Sequence, residues 1–329
     1  NKIKEYAVNF DPATAVAEAE EAAKDKPLSC SNCGIFAGSP LEYDGGPPPG
    51  SGWAELFAAV PNFRTISKDW GATWLVPDED GLTKLDKVNA ELVAAEEDPI
   101  KQYTLTKNKF RYHMGPLFYR GRLDGTARVL VVGQEGATDE AIVHRAFVGG
   151  TGQKVQNFLN SLGITRSYIF VNTFVYSIYE QYDEFTKELA TQTAIKDHRN
   201  QILKKIFDES NIELVLTFGA AAHESVKIFR EEFYAGKFPD GTRWSHALHP
   251  GAAAMAYAPD STGTVVDSDT LNSVVKSFSE SWKRVWYWRY IDPGWCAPDA
   301  DGWQFQSSKY YFGDRDIPYR DLPFGASHQ

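Results

Sequence analysis

Three polar side chains each follow a candidate strand: Glu135 after the apolar run Val129–Val132, Asn172 after Tyr168–Val171, and His249 after the weaker candidate Arg243–Leu248. A carboxylate can orient and deprotonate water, and an imidazole can hydrogen-bond to a leaving group as charge builds on it. An amide carries both a donor and an acceptor, so Asn172 can read the polar edge of a ring. Phe147 precedes the glycine-rich run Val148-Gly149-Gly150-Thr151-Gly152-Gln153-Lys154. Each residue has a plainer explanation alone: a helix-capping acid, a turn asparagine, a loop histidine. Three at one sheet edge, beside an aromatic, are harder to attribute to chance.

One edge is what the chain pattern predicts. From Ala127 onward, short apolar runs alternate with helical periodicity, which marks an α/β unit. Strands are expected at Val129–Val132, Tyr168–Val171, Leu214–Thr217 and, more weakly, Arg243–Leu248. Helices are expected from about Thr151 to Leu162, Glu184 to Phe207, Ala220 to Phe229 and Ser268 to Trp286. The fold class is therefore α/β: a doubly wound, mainly parallel four-stranded sheet flanked by helices. In such a sheet the carboxyl ends of the strands share a ligand crevice. Residues 1–115 are expected as an N-terminal extension packing on the core, 116–290 as the α/β domain, and 291–329 as an aromatic-rich C-terminal tail. Within the extension, helices are expected from Asp11 to Lys24 and Asp86 to Ala95, with a turn-rich linker at 44–52. Trp53, Trp70 and Trp74 are spaced for a small satellite core.

The bulk properties narrow the class. No apolar run approaches the roughly 20 residues a bilayer span needs, and the first residues do not resemble a signal peptide. Three cysteines, Cys30, Cys33 and Cys296, are too few for a disulfide framework and suit a reducing, cytoplasmic setting. A formal net charge of −10 argues against non-specific wrapping of nucleic acid but leaves room for a local basic face. Residues 101–122 hold no Asp or Glu. Their Lys101, Lys107, Lys109, Arg111, Arg120 and Arg122 are interleaved with aromatics, a composition suited to phosphates and stacked bases. The other reading is a basic hairpin that balances acidic neighbours. Cys30-x-x-Cys33 can supply half of a metal site or form a redox pair, but two thiolates alone do not hold zinc or a cluster.

These motifs resemble the uracil-DNA glycosylase superfamily over residues 116 to about 255. Arg128–Gln153 resembles the first motif, a buried strand followed by Gly-Gln-Glu-Gly-Ala and then Phe-Val-Gly. Ile169-Phe-Val-Asn172 resembles the second, Leu216-Thr-Phe-Gly-Ala-Ala222 a mid-domain strand and helix start, and His246-Ala-Leu-His249-Pro250-Gly251 the third. The resemblance implies hydrolysis of the N-glycosidic bond of a pyrimidine flipped out of DNA. It implies catalytic roles for Glu135, Gln134 and His249, and base contacts from Asn172, Phe147, Gly136 and Ala137. It implies DNA contacts from Gly149, Gly152, Gln153, Lys154, Pro250, Gly251 and a wedge at Met255 or Tyr257. Lys107, Lys109 and Arg111 join that DNA-contacting set from the basic stretch.

The departures carry expectations too. Cys30 and Cys33 resemble the first pair of the iron–sulfur branch, but Tyr176 and His198 stand where its other two cysteines fall, so no cluster and no cofactor are expected. Gly136 and Ala137 replace the Pro and the Tyr that blocks C5 substituents in the uracil-specific branch. Two small residues imply a pocket open to a 5-substituted base, such as a hydroxymethyl or glycosylated cytosine of phage DNA, with uracil as the alternative substrate. No Lys lies in the core motifs at a place suited to Schiff-base chemistry, so a monofunctional glycosylase is expected; its expected partner is DNA, and the expected state is a monomer. The rival from another class is a base-trapping protein on the same fold, without turnover. A generic nucleotide-binding domain lacks its Gly-x-Gly-x-x-Gly or Walker sequence here.

Overall fold

Alternation along the strands decides the layers. In β2 (Val129–Gly133), Val129 and Val131 point to one face of the sheet, and Leu130 and Val132 to the other; all are buried. The computed structural model describes residues 47–299 apart from 101, 103–104, 106–108, 144, 165, 180–182, 253–264 and 266. The helix expected at 11–24, Cys30, Cys33, most of the linker, Lys101, Lys107, Met255, Tyr257 and residues 300–329 lie outside the described residues.

The sheet has five strands where the sequence pattern gave four. Beyond β2, β3 (Tyr168–Asn172), β4 (Leu214–Phe218) and β5 (Arg243–Ala247), a three-residue β1 (Tyr119–Gly121) pairs antiparallel to β3. The order is β1-β3-β2-β4-β5, and β3, β2, β4 and β5 run parallel to one another. Among the described residues before β2 lie the α-helices α1 (Trp53–Ala58), α2 (Phe63–Thr73) and α3 (Lys84–Ala94), and a short 3-10 turn at Tyr112–Met114. Between β2 and β3 come the short α4 (Thr138–Val143) and α5 (Gly150–Ser161). The single helix expected from Glu184 to Phe207 is two, α6 (Asp183–Ala190) and α7 (Thr193–Glu209). After β4 comes α8 (Ala220–Tyr234), and after β5 comes α9 (Ser268–Ile291).

Helices cover both faces. Val155, Phe158 and Leu159 of α5 pack with Phe278, Trp282 and Val285 of α9 against one face; Ile202, Leu203 and Ile206 of α7 pack with Val226 and Phe229 of α8 against the other. The chain leaves β2 toward β3 and leaves β4 toward β5, in opposite directions. The crevice of a doubly wound sheet opens at such a switch point, here between the carboxyl ends of β2 and β4.

Two further expectations change. Trp70 and Trp74 do form a satellite core, with ring centroids 5.2 Å apart and Phe63, Phe110 and Phe174 around them. Trp53 instead joins the sheet face covered by α7 and donates its indole N–H to Glu209 at 2.9 Å. Helix α9 continues five residues past Trp286. After it, Trp295 and Cys296 are buried in the core, and Asp299 accepts from Arg128 and Ser167, clipping this segment to the amino end of β2. No helix among the described residues is long and apolar enough to cross a membrane.

Candidate active site

The strand tips are held level by backbone bonds that continue past the strands. Thr173 N–H donates to the Gly133 carbonyl at 2.8 Å, Phe174 N–H to Gln134 at 2.9 Å, and Gly219 N–H to Ala247 at 2.9 Å. Residues immediately after the strands thus sit on a rigid edge. A cavity of about 490 Å³ opens there, lined among others by Gln134, Glu135, Ala137, Phe147, Phe218 and His249. That volume lies within the usual range of small-molecule pockets, roughly 300–1,000 Å³.

Glu135 and His249 share this cavity. Glu135 has its Oε2 buried without a hydrogen-bond partner. Burial pushes its carboxyl up to about 8; a bond from Gln134 and the charge of Arg111 oppose the rise, and the nearby Glu140 adds to it. His249 is half-buried, and its Nδ1 accepts from the Gly251 backbone N–H at 3.2 Å. Gly219, at φ 96°, lets the ring lie close: a Cβ there would come within 3.3 Å of His249 Cβ.

Asn172 is 5% exposed and does not line the cavity. Both amide atoms lack a hydrogen-bond partner among the described residues. It lies next to the wall all the same. A Cβ on Gly133 would fall 2.3 Å from Phe147 Cζ and 2.8 Å from Asn172 Oδ1, so ring and amide flank the same glycine. Buried polar atoms left unsatisfied are uncommon and point to a function or a missing partner.

The Phe147 turn is built around a left-handed residue. Phe147 has φ 60°, a costly conformation for an aromatic side chain. Gly152 is forced: a Cβ there would lie 2.1 Å from the Phe147 carbonyl. Glu140, buried on α4, accepts from Ala137 N–H at 2.9 Å, Val148 N–H at 3.0 Å and Gly149 N–H at 2.8 Å. One carboxylate therefore ties the loop after Glu135 to the turn after Phe147. The sequence reading missed Glu140. Gly149, Gly150, Thr151 and Gly152, at the start of α5, line the cavity as well.

The remaining expected residues divide. Gly251 lines the cavity, Pro250 is buried beside it, and Lys154 reaches the Pro250 carbonyl at 3.4 Å; the backbone of Gln153 lies in α5. Lys109 corrects the expectation of a phosphate contact. It is 2% exposed, its ammonium 5.6 Å from the Phe185 ring centre and its backbone N–H bound to Ser67. Arg111 lies over the Tyr179 ring, 4.8 Å from its centre, and acts on Glu135 rather than standing clear in solvent. Backbone pairing draws this stretch inward: Arg111 N–H donates to Ser177 and Tyr179 N–H to Lys109.

Gly136 is also different from the open position expected. A Cβ there would lie 2.4 Å from Leu117 Cδ1, so Leu117 occupies the room that the glycine leaves. Ala137 is exposed on the cavity wall, and the opening is at that residue. Tyr176 and His198 do not fit a four-cysteine cluster. Tyr176 packs on Tyr112 with ring centres 4.8 Å apart, and His198 Nε2 pairs with the Leu56 carbonyl at 3.0 Å. No group of three or more potential ligands is arranged for a metal ion among the described residues.

The sequence model for the uracil DNA glycosylase superfamily matches residues 120–284, half of the chain. No curated protein matches it. Members of that superfamily act on DNA and are in general glycosylase hydrolases. By this match, over the same sheet and strand tips that build the cavity, the chain belongs to the uracil-DNA glycosylase superfamily.

Proposed function

We propose that the chain is a monofunctional DNA glycosylase that hydrolyses the N-glycosidic bond of a flipped-out pyrimidine and leaves an abasic site. The observation that carries this is the shared cavity of Glu135 and His249 at the β2/β4 switch point, walled by Phe147. As the bond to C1′ breaks, its electron pair moves onto the base and the sugar becomes oxocarbenium-like. Glu135, in its ionised form, orients water and takes its proton as the water oxygen bonds to C1′. The proton then passes to the departing base. His249 donates from Nε2 to the pyrimidine oxygen that gains charge. Phe147 stacks on the ring, and Asn172, once the ring is seated, supplies the partners its amide lacks.

The preferred substrate is a 5-substituted cytosine, for which the exposed Ala137 and the 490 Å³ cavity leave room. Uracil is the alternative. Which base is removed decides between repair and defence against modified phage genomes.

The test is incubation with single- and double-stranded oligonucleotides carrying uracil, 5-hydroxymethylcytosine or its glucosylated form, followed by alkali. Strand breaks that disappear in Glu135→Gln support turnover. Tight binding without breaks on any substrate replaces it with a base-trapping protein. Covalent capture by borohydride would refute the monofunctional assignment.

A further inference from the structure

Arg120 is among the most buried charged residues described, 1% exposed in β1. Its stretch of sequence has the composition of a phosphate-facing surface, yet its side chain turns into the core. The guanidinium lies 5.3 Å from the centre of the Phe170 ring and 5.8 Å from that of Tyr168. It donates to the Phe147 carbonyl at 2.9 Å and toward the Tyr168 hydroxyl at 3.4 Å. Gln156 of α5 donates to the same Phe147 carbonyl at 2.7 Å. The next peptide N–H, that of Val148, is held by Glu140. The Phe147–Val148 peptide is therefore gripped at both ends, in a backbone conformation that an aromatic residue does not adopt by preference.

A guanidinium keeps its charge, and burying it is less favourable than packing a hydrophobe of equal volume. What a hydrophobe could not do is hold a carbonyl oxygen in place. We infer that Arg120 is a positioning residue: by fixing the Phe147 carbonyl it aims the Phe147 ring, tilted at 34° against Phe170 with ring centres 4.8 Å apart, at the cavity where the extruded base would lie. The inference rests on the proposed glycosylase reading for its purpose, though not for its geometry.

Two measurements separate the two. The first needs no turnover: the full chain is labelled with 4-fluorophenylalanine, and the Phe147 fluorine line is assigned by its loss in Phe147→Leu. Arg120→Met is expected to shift or broaden that line, and Gln156→Ala to do so more weakly. Where Arg120→Met does not fold, Arg120→Lys and Gln156→Ala are read in its place. A Phe147 line unchanged in every folded variant overturns the inference. The second is single-turnover excision on the substrate found above. Arg120→Met is expected to lose roughly 100-fold, the scale of a small misplacement in an active site, with DNA affinity retained. Its effect should vanish in the Phe147→Leu background. An equal loss in that background means that Arg120 acts by another route, and overturns the inference. If the wild-type chain cuts no oligonucleotide, the glycosylase reading fails while the fluorine experiment still decides the role of Arg120.

Discussion

The Nδ1 atom of His249 accepts a hydrogen bond from the backbone N–H of Gly251 at 3.2 Å. A neutral imidazole that accepts at Nδ1 carries its proton on Nε2. Burial, helped by the charge of Lys154, holds this ring below the usual histidine value, so the neutral form prevails at pH 7. His249 thus enters the proposed reaction as a donor that needs no prior protonation. Replacing it by Ala is expected to cost roughly 10²–10³ in rate, the loss seen when one oxyanion-type donor is removed. Gly251→Ala should also impair the site, since its Cβ would lie 2.8 Å from His249 Cε1 and displace the ring. Nitrogen-15 chemical shifts of the free protein check the tautomer: a protonated Nδ1 at pH 7 contradicts the assignment.

Glu135 sets the pH dependence. Its carboxyl is pushed up to about 8, chiefly by burial, and the proposed water activation needs the ionised form. Excision should therefore rise with pH from 6, reach half its maximum near pH 8 and level off only above about pH 9. The stability consequence has the opposite sign. Because the folded value exceeds the unfolded one near 4.5, the contribution of Glu135 is fully present below that lower value and is lost as pH rises through about 8. Glu135→Gln should match the wild type in Tm at pH 4 and exceed it at pH 9. A gain of roughly 2–4 °C corresponds to about 1 kcal/mol in a domain of this size. A rate that stays flat between pH 6 and 9 would sink the general-base role.

The tips of β2, β3 and β4 were legible in the sequence because each of these buried strands is an apolar run closed by Gly or a polar residue, while the partly buried β5, Arg-Trp-Ser-His-Ala, gave a weaker signal; parallel topology then brings the tips to one edge. Direction was not legible. The basic, aromatic composition of 101–122 is the same whether Lys109 and Arg120 face phosphate or lie over Phe185 and Phe170, since long apolar stems suit both. Strand β1 is three residues long, too short to carry a period. Helices α6 and α7 read as one because apolar spacing persists across the break at Thr191 and Gln192. Glu140 resembles any acid in the first turn of a helix, which the dipole favours. Its three backbone partners sit at irregular offsets that no periodic pattern reveals.

That carboxylate makes two separable contributions. Glu140 accepts three backbone N–H bonds while buried, and Gln in its place has one acceptor oxygen and would turn an NH₂ toward at least one of those donors. Hydrogen bonds to a charged group contribute about 1.5–3 kcal/mol each, so Glu140→Gln should lower Tm and loosen the Phe147 turn. Removing its charge also removes a like charge from beside Glu135, so the rise in rate with pH should move to lower pH. A pH profile unchanged in Glu140→Gln would show that the two carboxyls do not interact.

Gly136 and Ala137 are adjacent in sequence and opposite in consequence. A methyl on Gly136 would meet Leu117 Cδ1 at 2.4 Å and Glu140 Cβ at 3.1 Å, both within packed surroundings. Gly136→Ala is expected to destabilise by about 1–3 kcal/mol through overpacking, with part of the loss recovered on adding Leu117→Ala. Thermal denaturation of the single and double variants measures this, and a double variant no more stable than Gly136→Ala would refute the clash. Ala137 is exposed on the cavity wall, where a larger side chain has room to project without unfolding anything. Ala137→Tyr should leave Tm unchanged and reduce excision of a 5-hydroxymethylated or glucosylated cytosine by at least about tenfold relative to uracil, because a rigid ring rejects added bulk. Equal losses on small and bulky bases would mean that the wall at Ala137 does not face the C5 position, and the case for a 5-substituted substrate would lose its structural support.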